Sequence, residues 1–332
     1  MNSVTSTEIV WAVIGAGDVC EVKSAPALNQ LEGSRIKTVM RRDAKKAEDY
    51  AQRHGIPFFT TDINEVMTDV EINAIYIATP PSTHAYYTFL AARAGKTVYV
   101  EKPMADNYAA CIDMIDCCKA ENVLLFTAYY RRSLPGFLKV KELVDNEIIG
   151  ELRTVNIEMY QPADTKIIKD TNWRVDPSIA GGGYFYDLAS HQLDFLDFIF
   201  GQIIEVKGIS SNQSALYLAD DVTSASFKFQ NGVVGSGLWC FTTAQTAAKD
   251  LTTIVGNKGT ISFNTFGNPM IIKLSTDNQA YHFFEFNHTQ PIQELHIQSI
   301  LNQLSGKGIC PSDGISAART SWVLEQITKG AK

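Results

Sequence analysis

The tripeptide Glu101-Lys102-Pro103 sets an amine directly behind a short apolar run, Thr97–Val100, that reads as a buried strand. A lysine leaving such a strand is usually just solvated. Held against a ligand instead, its ammonium can hydrogen-bond a hydroxyl or polarise a carbonyl. Pro103 fixes the backbone that follows and is a candidate for the cis form. A second constellation lies farther along, where Gly181-Gly182-Gly183 precedes Tyr184-Phe185-Tyr186-Asp187-Leu188-Ala189-Ser190-His191. Helical spacing predicts that Asp187 and His191, four residues apart, share one face. A lone histidine on a helix is more often structural. One with a carboxylate a turn earlier, beside a glycine cluster that leaves room for a ligand against the backbone, is suited to moving protons. Asp194 and Asp197 read as structural or solvated.

An amine and an imidazole need a reacting partner, and the N-terminal sequence offers one. The run Ile9–Ile14 leads into Gly15-Ala16-Gly17-Asp18-Val19-Cys20, a G-x-G-x-x-C turn between a strand and a helix. The two glycines permit a tight turn and a close backbone approach to a pyrophosphate, and cysteine is small enough for the third position. Gly15, Gly17, Asp18 and Val19 are therefore candidate dinucleotide contacts. At the end of the second strand an NAD site generally carries an acidic side chain for the ribose 2′-hydroxyl. Arg41 and Arg42 stand there instead, and two guanidinium groups suit a 2′-phosphate, so the expected cofactor is NADP, with NAD the alternative. The run Ala74–Ala78 ends at Thr79-Pro80-Pro81-Ser82-Thr83-His84, where the prolines stop the strand and Ser82 or Thr83 can cap the next helix. This loop and Lys102 both fall at the carboxyl edge of the sheet, where ligands bind in such folds. Thr79, Pro80, Pro81, His84, Glu101 and Lys102 join the cofactor-binding set on that ground, although His84 by type is more often a first-turn surface or packing residue.

The elements that position these groups fall into two rhythms. Up to residue 128, apolar runs at Ile9–Ile14, Ile36–Met40, Ala74–Ala78, Thr97–Val100 and Val123–Phe126 alternate with helical patterns near 18–31, 43–53, 83–94 and 107–121. Continuous apolar strands are covered on both faces, which is the mark of a doubly wound parallel sheet. From 129 to 332 the pattern is α+β: strand-like segments at 151–160, 203–211, 221–230, 233–242, 251–256, 259–264, 270–275 and 280–286, with Asn231-Gly232 and Asn257-Lys258-Gly259 as hairpin turns. One helix, about 183–200, interrupts them. The reading is an α/β chain with a dinucleotide-binding domain, 1–128, and a second domain, 129–332, built on a large, mostly antiparallel sheet. Covered on one face only, that sheet would leave an apolar surface suited to a homodimer or homotetramer.

Bulk composition excludes several classes. The chain has 332 residues, 45% hydrophobic and 20% charged, as in ordinary globular proteins. A net charge of -7 disfavours nucleic acid as a partner. The six cysteines form no C-x-x-C pair and read as buried thiols of a reducing compartment. No apolar run approaches a membrane span and no signal-type leader is present, so a cytoplasmic location is expected.

Taken together, Gly15-x-Gly17, Glu101-Lys102-Pro103 and the GGG…Asp187-x-x-x-His191 block resemble the glucose–fructose oxidoreductase / inositol dehydrogenase / MocA superfamily over nearly the whole chain. The resemblance implies a Rossmann domain, an open-faced sheet domain used for oligomerisation, and hydride transfer between NAD(P) and a sugar-like or polyol substrate. It implies Lys102 as the catalytic lysine and Asp187 and His191 as the second-domain catalytic pair that also meets substrate. Trp173-Arg174 matches a Trp-Arg that lines the active site in some members. Tyr130 and Arg132 fall where the family contacts cofactor or substrate. Two other readings stand beside this one: a non-enzymatic dinucleotide- or sugar-binding regulator, and a dihydrodiol-type dehydrogenase. Loops 161–180 and 240–250 are expected to select the substrate.

Overall fold

The structure, a computed structural model, describes residues 8–163, 172–277 and 279–329. Residues 164–171 of the expected specificity loop therefore lie outside the described residues. Contacts group the chain into two units, Met1–Ser133 with Thr289–Ala318 and Leu134–His288 with Arg319–Lys332. The first break falls five residues beyond the expected one at 128. A single cut does not describe the grouping, however, because 289–318 belongs with the first unit.

The first unit is built on a six-stranded parallel sheet of β1 (Ile9–Ile14), β2 (Ser34–Met40), β3 (Phe58–Thr60), β4 (Ala74–Ile77), β5 (Thr97–Val100) and β6 (Leu125–Thr127). Its order is β3-β2-β1-β4-β5-β6, the doubly wound order of a dinucleotide-binding fold. Alternate residues of each strand feed two cores, which is why the strands read as unbroken apolar runs. Trp11, Val13, Tyr76 and Tyr99 face one core with residues of α1 (Asp18–Val22), α2 (Ala25–Gln30) and α3 (Ala44–His54). Val10, Ala12, Ile75, Ile77 and Val98 face the other with α4 (Ile63–Thr68), α5 (His84–Arg93) and α6 (Tyr108–Ala120). The physical reason 289–318 joins this unit lies in the same cores: Ile297 and Ile300 pack in the first, Ala317 and Ala318 in the second.

The second unit opens with α7 (Pro135–Asp145) and carries an eight-stranded sheet of β7 (Leu152–Pro162), β8 (Ile203–Ser211), β9 (Val222–Phe229), β10 (Val234–Thr243), β11 (Lys249–Gly256), β12 (Gly259–Phe263), β13 (Met270–Thr276) and β14 (Gln279–Phe286). All pairs are antiparallel except β7 with β10. Between β7 and β8 lie α8 (Pro177–Ala180) and α9 (Ser190–Phe200). α10 (Glu294–Leu304) follows the sheet in the chain, and α11 (Gly314–Lys329) begins in the first unit and ends in the second. Helices cover one sheet face: Phe137 of α7 and Phe195 of α9 meet Phe263 of β12 edge to face. Asp197 binds Arg319 through both carboxylate oxygens at 2.6 and 2.9 Å, a structural pair as its residue type suggested. The expected apolar open face is corrected by the structure. Asn156, Ser224, Ser226 and Ser236 are exposed beside Val234 and Leu238, so the outward-facing positions are mixed and largely polar. Among the described residues no helix is long and apolar enough to cross a membrane.

Candidate active site

The glycine turn follows β1, where Gly15 adopts a φ of +84°. A Cβ there would stand 2.5 Å from Thr79 Cγ2 and 3.0 Å from the Ala78 carbonyl oxygen, so only glycine fits. The turn is thus packed onto the end of β4. At Gly17 an added Cβ would meet only the Gly15 carbonyl, at 3.9 Å, and no side chain caps α1. Asp18 is exposed and Val19 half-buried beside this opening. A dinucleotide pyrophosphate fits such a backbone opening with uncapped amides. Cys20 is fully buried in the core with Trp11 and Val13, and burial pushes its thiol pKa far up, so it serves as packing.

Past β2, the Arg41 amide donates to the Thr60 carbonyl at 3.2 Å. Among the described residues neither the Arg41 nor the Arg42 guanidinium makes a hydrogen bond or ion pair. The nearby acid, Asp43, is occupied: it accepts from the Lys46 amide and caps α3. Two cationic side chains with no hydrogen-bond or ion-pair partner among the described residues therefore stand just past β2.

The lysine loop rests on a buried carboxylate. Glu101 Oε1 accepts from Tyr76 Oη and from Gln293 Nε2, both at 2.7 Å, and Oε2 lies 3.2 Å from the Lys102 amide. Tyr99 donates to Gln293 Oε1 at 2.6 Å, and the two tyrosine rings stack at 4.9 Å. Burial, with the charge of Glu101 added, holds both phenols well above their usual pKa, so they remain donors. Glu101 thus spends its oxygens on holding its own loop. Lys102 is half-buried, and the Lys102–Pro103 peptide is cis.

His84 is a packing residue, one of the two readings its type suggested. It is fully buried, with Nε2 2.8 Å from the Thr79 carbonyl and Nδ1 3.1 and 3.2 Å from the Pro103 and Met104 carbonyls. Both nitrogens face main chain, so a direct cofactor contact through them is replaced by a tie between two loops. Burial pushes the ring's pKa below its ordinary value, against those carbonyls and Glu101. Neither expected helix cap forms at Thr83, whose Oγ1 lies 2.9 Å from the Pro80 carbonyl and 2.8 Å from Thr79 Oγ1. Pro80 is half-buried and Pro81 buried in that short turn.

Tyr130 and Arg132 sit in a single 3-10 turn, Tyr130–Ser133, and both are buried. Arg132 Nη1 donates to the Pro311 carbonyl at 2.9 Å. The turn is braced by His296, whose Nε2 donates to the Thr127 carbonyl at 3.1 Å and whose Nδ1 lies 3.3 Å from Ser133 Oγ. Burial, helped by the charge of Arg132, lowers the His296 pKa to about 4, so the ring is neutral.

In the second unit Trp173 and Arg174 share the 3-10 turn Trp173–Val175, with the guanidinium 4.7 Å from the indole centroid. Asn172 accepts from the Arg174 amide and reaches Tyr184 Oη at 3.4 Å. Two glycines of the cluster serve packing. A Cβ on Gly182 would stand 2.1 Å from the Tyr186 ring, and one on Gly183 2.4 Å from the Ala219 side chain. The segment after it is not one α-helix: Phe185–Ala189 is a π-helical turn, and α9 starts at Ser190. Asp187 is half-buried inside that turn, and His191 is buried at the start of α9, 6.2 Å from the Phe266 ring. A π turn near a residue pair of this kind is frequent at functional sites.

Within the first unit, then, Gly15, Thr79, His84 and the Lys102 loop form one connected cluster. Within the second, Trp173, Arg174 and Tyr184 gather, and Asp187 and His191 lie on one continuous helical segment. Tyr76, Tyr99 and Gln293, which hold the Lys102 loop through Glu101, and His296, which braces the Tyr130 turn, were not recognised from sequence. Gln293 is 192 residues from the Glu101 it supports, and no local pattern marks such a partner.

Comparison with known proteins adds three findings. The family model described as an oxidoreductase family with an NAD-binding Rossmann fold matches residues 9–129, and the GFO/IDH/MocA C-terminal domain matches 137–262. Oxidoreductase P35 of Formosa agariphila is 39% identical over 286 residues, 86% of this chain and 88% of that protein. Two solved structures share the fold, each with a TM-score of 0.85 and covering 98% of this chain and 97% of its own: aldose-aldose oxidoreductase from Caulobacter crescentus complexed with glycerol, 20% identical, and levoglucosan dehydrogenase in complex with NADH, 21% identical.

Proposed function

We propose that this chain, which belongs to the GFO/IDH/MocA oxidoreductase family, is an NADP-dependent dehydrogenase or reductase of a sugar or polyol. The observation that carries the reading is the linkage in the first unit. Thr79 packs on the glycine turn, His84 bonds the Thr79 carbonyl, and the same ring meets the peptide just past Lys102. A dinucleotide turn and a candidate catalytic amine are thereby built into one buried cluster. The free guanidinium groups of Arg41 and Arg42 support NADP over NAD, because a 2′-phosphate supplies the anion they lack. The sugar class is supported by solved relatives whose names specify an aldose and levoglucosan.

The bound nicotinamide would supply or accept the hydride. This chain's own groups handle the oxygen at the reacting carbon. In the reductive direction His191 donates a proton to that oxygen, Lys102 hydrogen-bonds it, and Asp187 orients these groups or a neighbouring hydroxyl. Trp173 and Arg174 line the substrate side. Turnover of NADPH against cyclic polyols, aldoses and dicarbonyl sugars identifies the substrate. On it, Lys102→Met and His191→Ala should each lower kcat by roughly 10² to 10⁴. Near-normal turnover in both variants contradicts the assignment.

A further inference from the structure

A carbonyl oxygen can only accept a hydrogen bond, and the ring nitrogens of His84 meet nothing but carbonyl oxygens on either side. On one side is Thr79, at the end of β4 and against the glycine turn. On the other are Pro103 and Met104, the first two residues after Lys102. The ring itself is fully buried, at the first position of α5. The charge acting on it is that of Glu101, the carboxylate that also holds the Lys102 amide.

We propose that His84 is the positioning residue of Lys102: its imidazole staples the peptide behind the lysine to the strand end that packs on the dinucleotide turn. This rests on the reading above, in which Lys102 acts on the substrate oxygen. A neutral ring has one N–H and serves one side at a time, whereas the imidazolium has two and serves both. The staple is therefore two-sided in acid and one-sided once the ring loses its second proton. Because burial sets that step below the ordinary histidine range, it falls on the acidic side of neutrality. Removing the ring cuts the tie between that peptide and the strand end, so Lys102 can be displaced by about 1 Å along its loop. A displacement of that size costs rate far more than it costs cofactor binding.

The test compares the full-length protein with His84→Phe and His84→Gln. Lys102 is labelled with an amine-reactive reagent over a pH series and followed by peptide mass spectrometry, so the readout does not depend on turnover. The expected wild-type profile carries an inflection on the acidic side of neutrality, absent from His84→Phe, whose kcat falls on the order of 10²-fold while its Kd for NADPH changes by less than about threefold. His84→Gln, whose amide donates to one side and does not titrate, is expected to lack the inflection while keeping more of the wild-type kcat than His84→Phe. It also carries the test if the phenylalanine variant does not fold. Superimposable Lys102 labelling profiles in the wild type and a folded variant overturn the proposal. Lys102→Met judges the catalytic reading separately: if it keeps full turnover, that reading fails while the labelling profiles still decide the staple.

Discussion

Arg41 and Lys102 are two of the residues whose chemistry could be named before any fold was known, and both follow strand ends in the structure. Arg41 was legible because a cation replaces the acid usual at that position, and the structure adds that its guanidinium has no protein partner among the described residues. Arg41→Ala is expected to weaken NADPH binding by about tenfold to hundredfold, the value of one or two charge-assisted hydrogen bonds, and to leave NADH binding unchanged. Titration of protein fluorescence with each cofactor measures this, and an unaltered NADPH affinity would remove the phosphate clamp. What sequence could not reveal at this scale is the support. Tyr76 and Tyr99 sit in apolar runs and look like core, yet their hydroxyls hold Glu101 and Gln293. His84 read as a surface or packing residue, and sequence could not decide between the two because its partners, Pro103 and Met104, come from another loop.

Elements were legible where periodicity is long and hidden where it is short. All eight strands of the second sheet were anticipated, and Asn231-Gly232 does form its hairpin, with Gly232 at a φ of +90°. β3 escaped notice because it is three residues at a sheet edge, with Phe58 and Phe59 exposed. The helix expected over 18–31 breaks at Lys23 and Ser24, where Pro26 begins a new one. The π turn at Phe185–Ala189 has no sequence period to betray it. Its packing gives a direct test: Gly182→Ala drives a methyl into the Tyr186 ring and should cost about 1–3 kcal/mol in urea unfolding. A neutral result would show that the glycine is not needed for packing. The turn at Tyr130–Ser133 has its own signature through His296. Between its folded pKa of about 4 and the ordinary unfolded value, the unfolded chain binds the extra proton, so stability falls as pH drops through that window. The wild type should be about 2 kcal/mol less stable at about pH 5 than at about pH 7 on this account alone, and His296→Gln should lose that part of the slope. An unchanged slope in the variant would assign the acid sensitivity elsewhere.

At the scale of the whole chain, the sequence showed the change of rhythm near residue 130 but not the return of 289–318 to the first unit. That return depends on Ile297 and Ile300 filling a core begun at Trp11, a contact with no sequence proximity. The open sheet face was misjudged for a similar reason. Alternation along β9 and β10 is clear, but which alternate residues face outward depends on where α7 and α9 pack, and the outward set proved rich in serine. The central proposal is that Lys102 and His191 serve a single substrate oxygen. The most direct test is a crystal structure with NADP⁺ and the identified sugar or polyol bound. The account predicts Lys102 Nζ and a His191 ring nitrogen both within about 3 Å of the oxygen on the carbon that faces the nicotinamide. An oxygen held by other side chains, with either nitrogen out of hydrogen-bond reach, would contradict it.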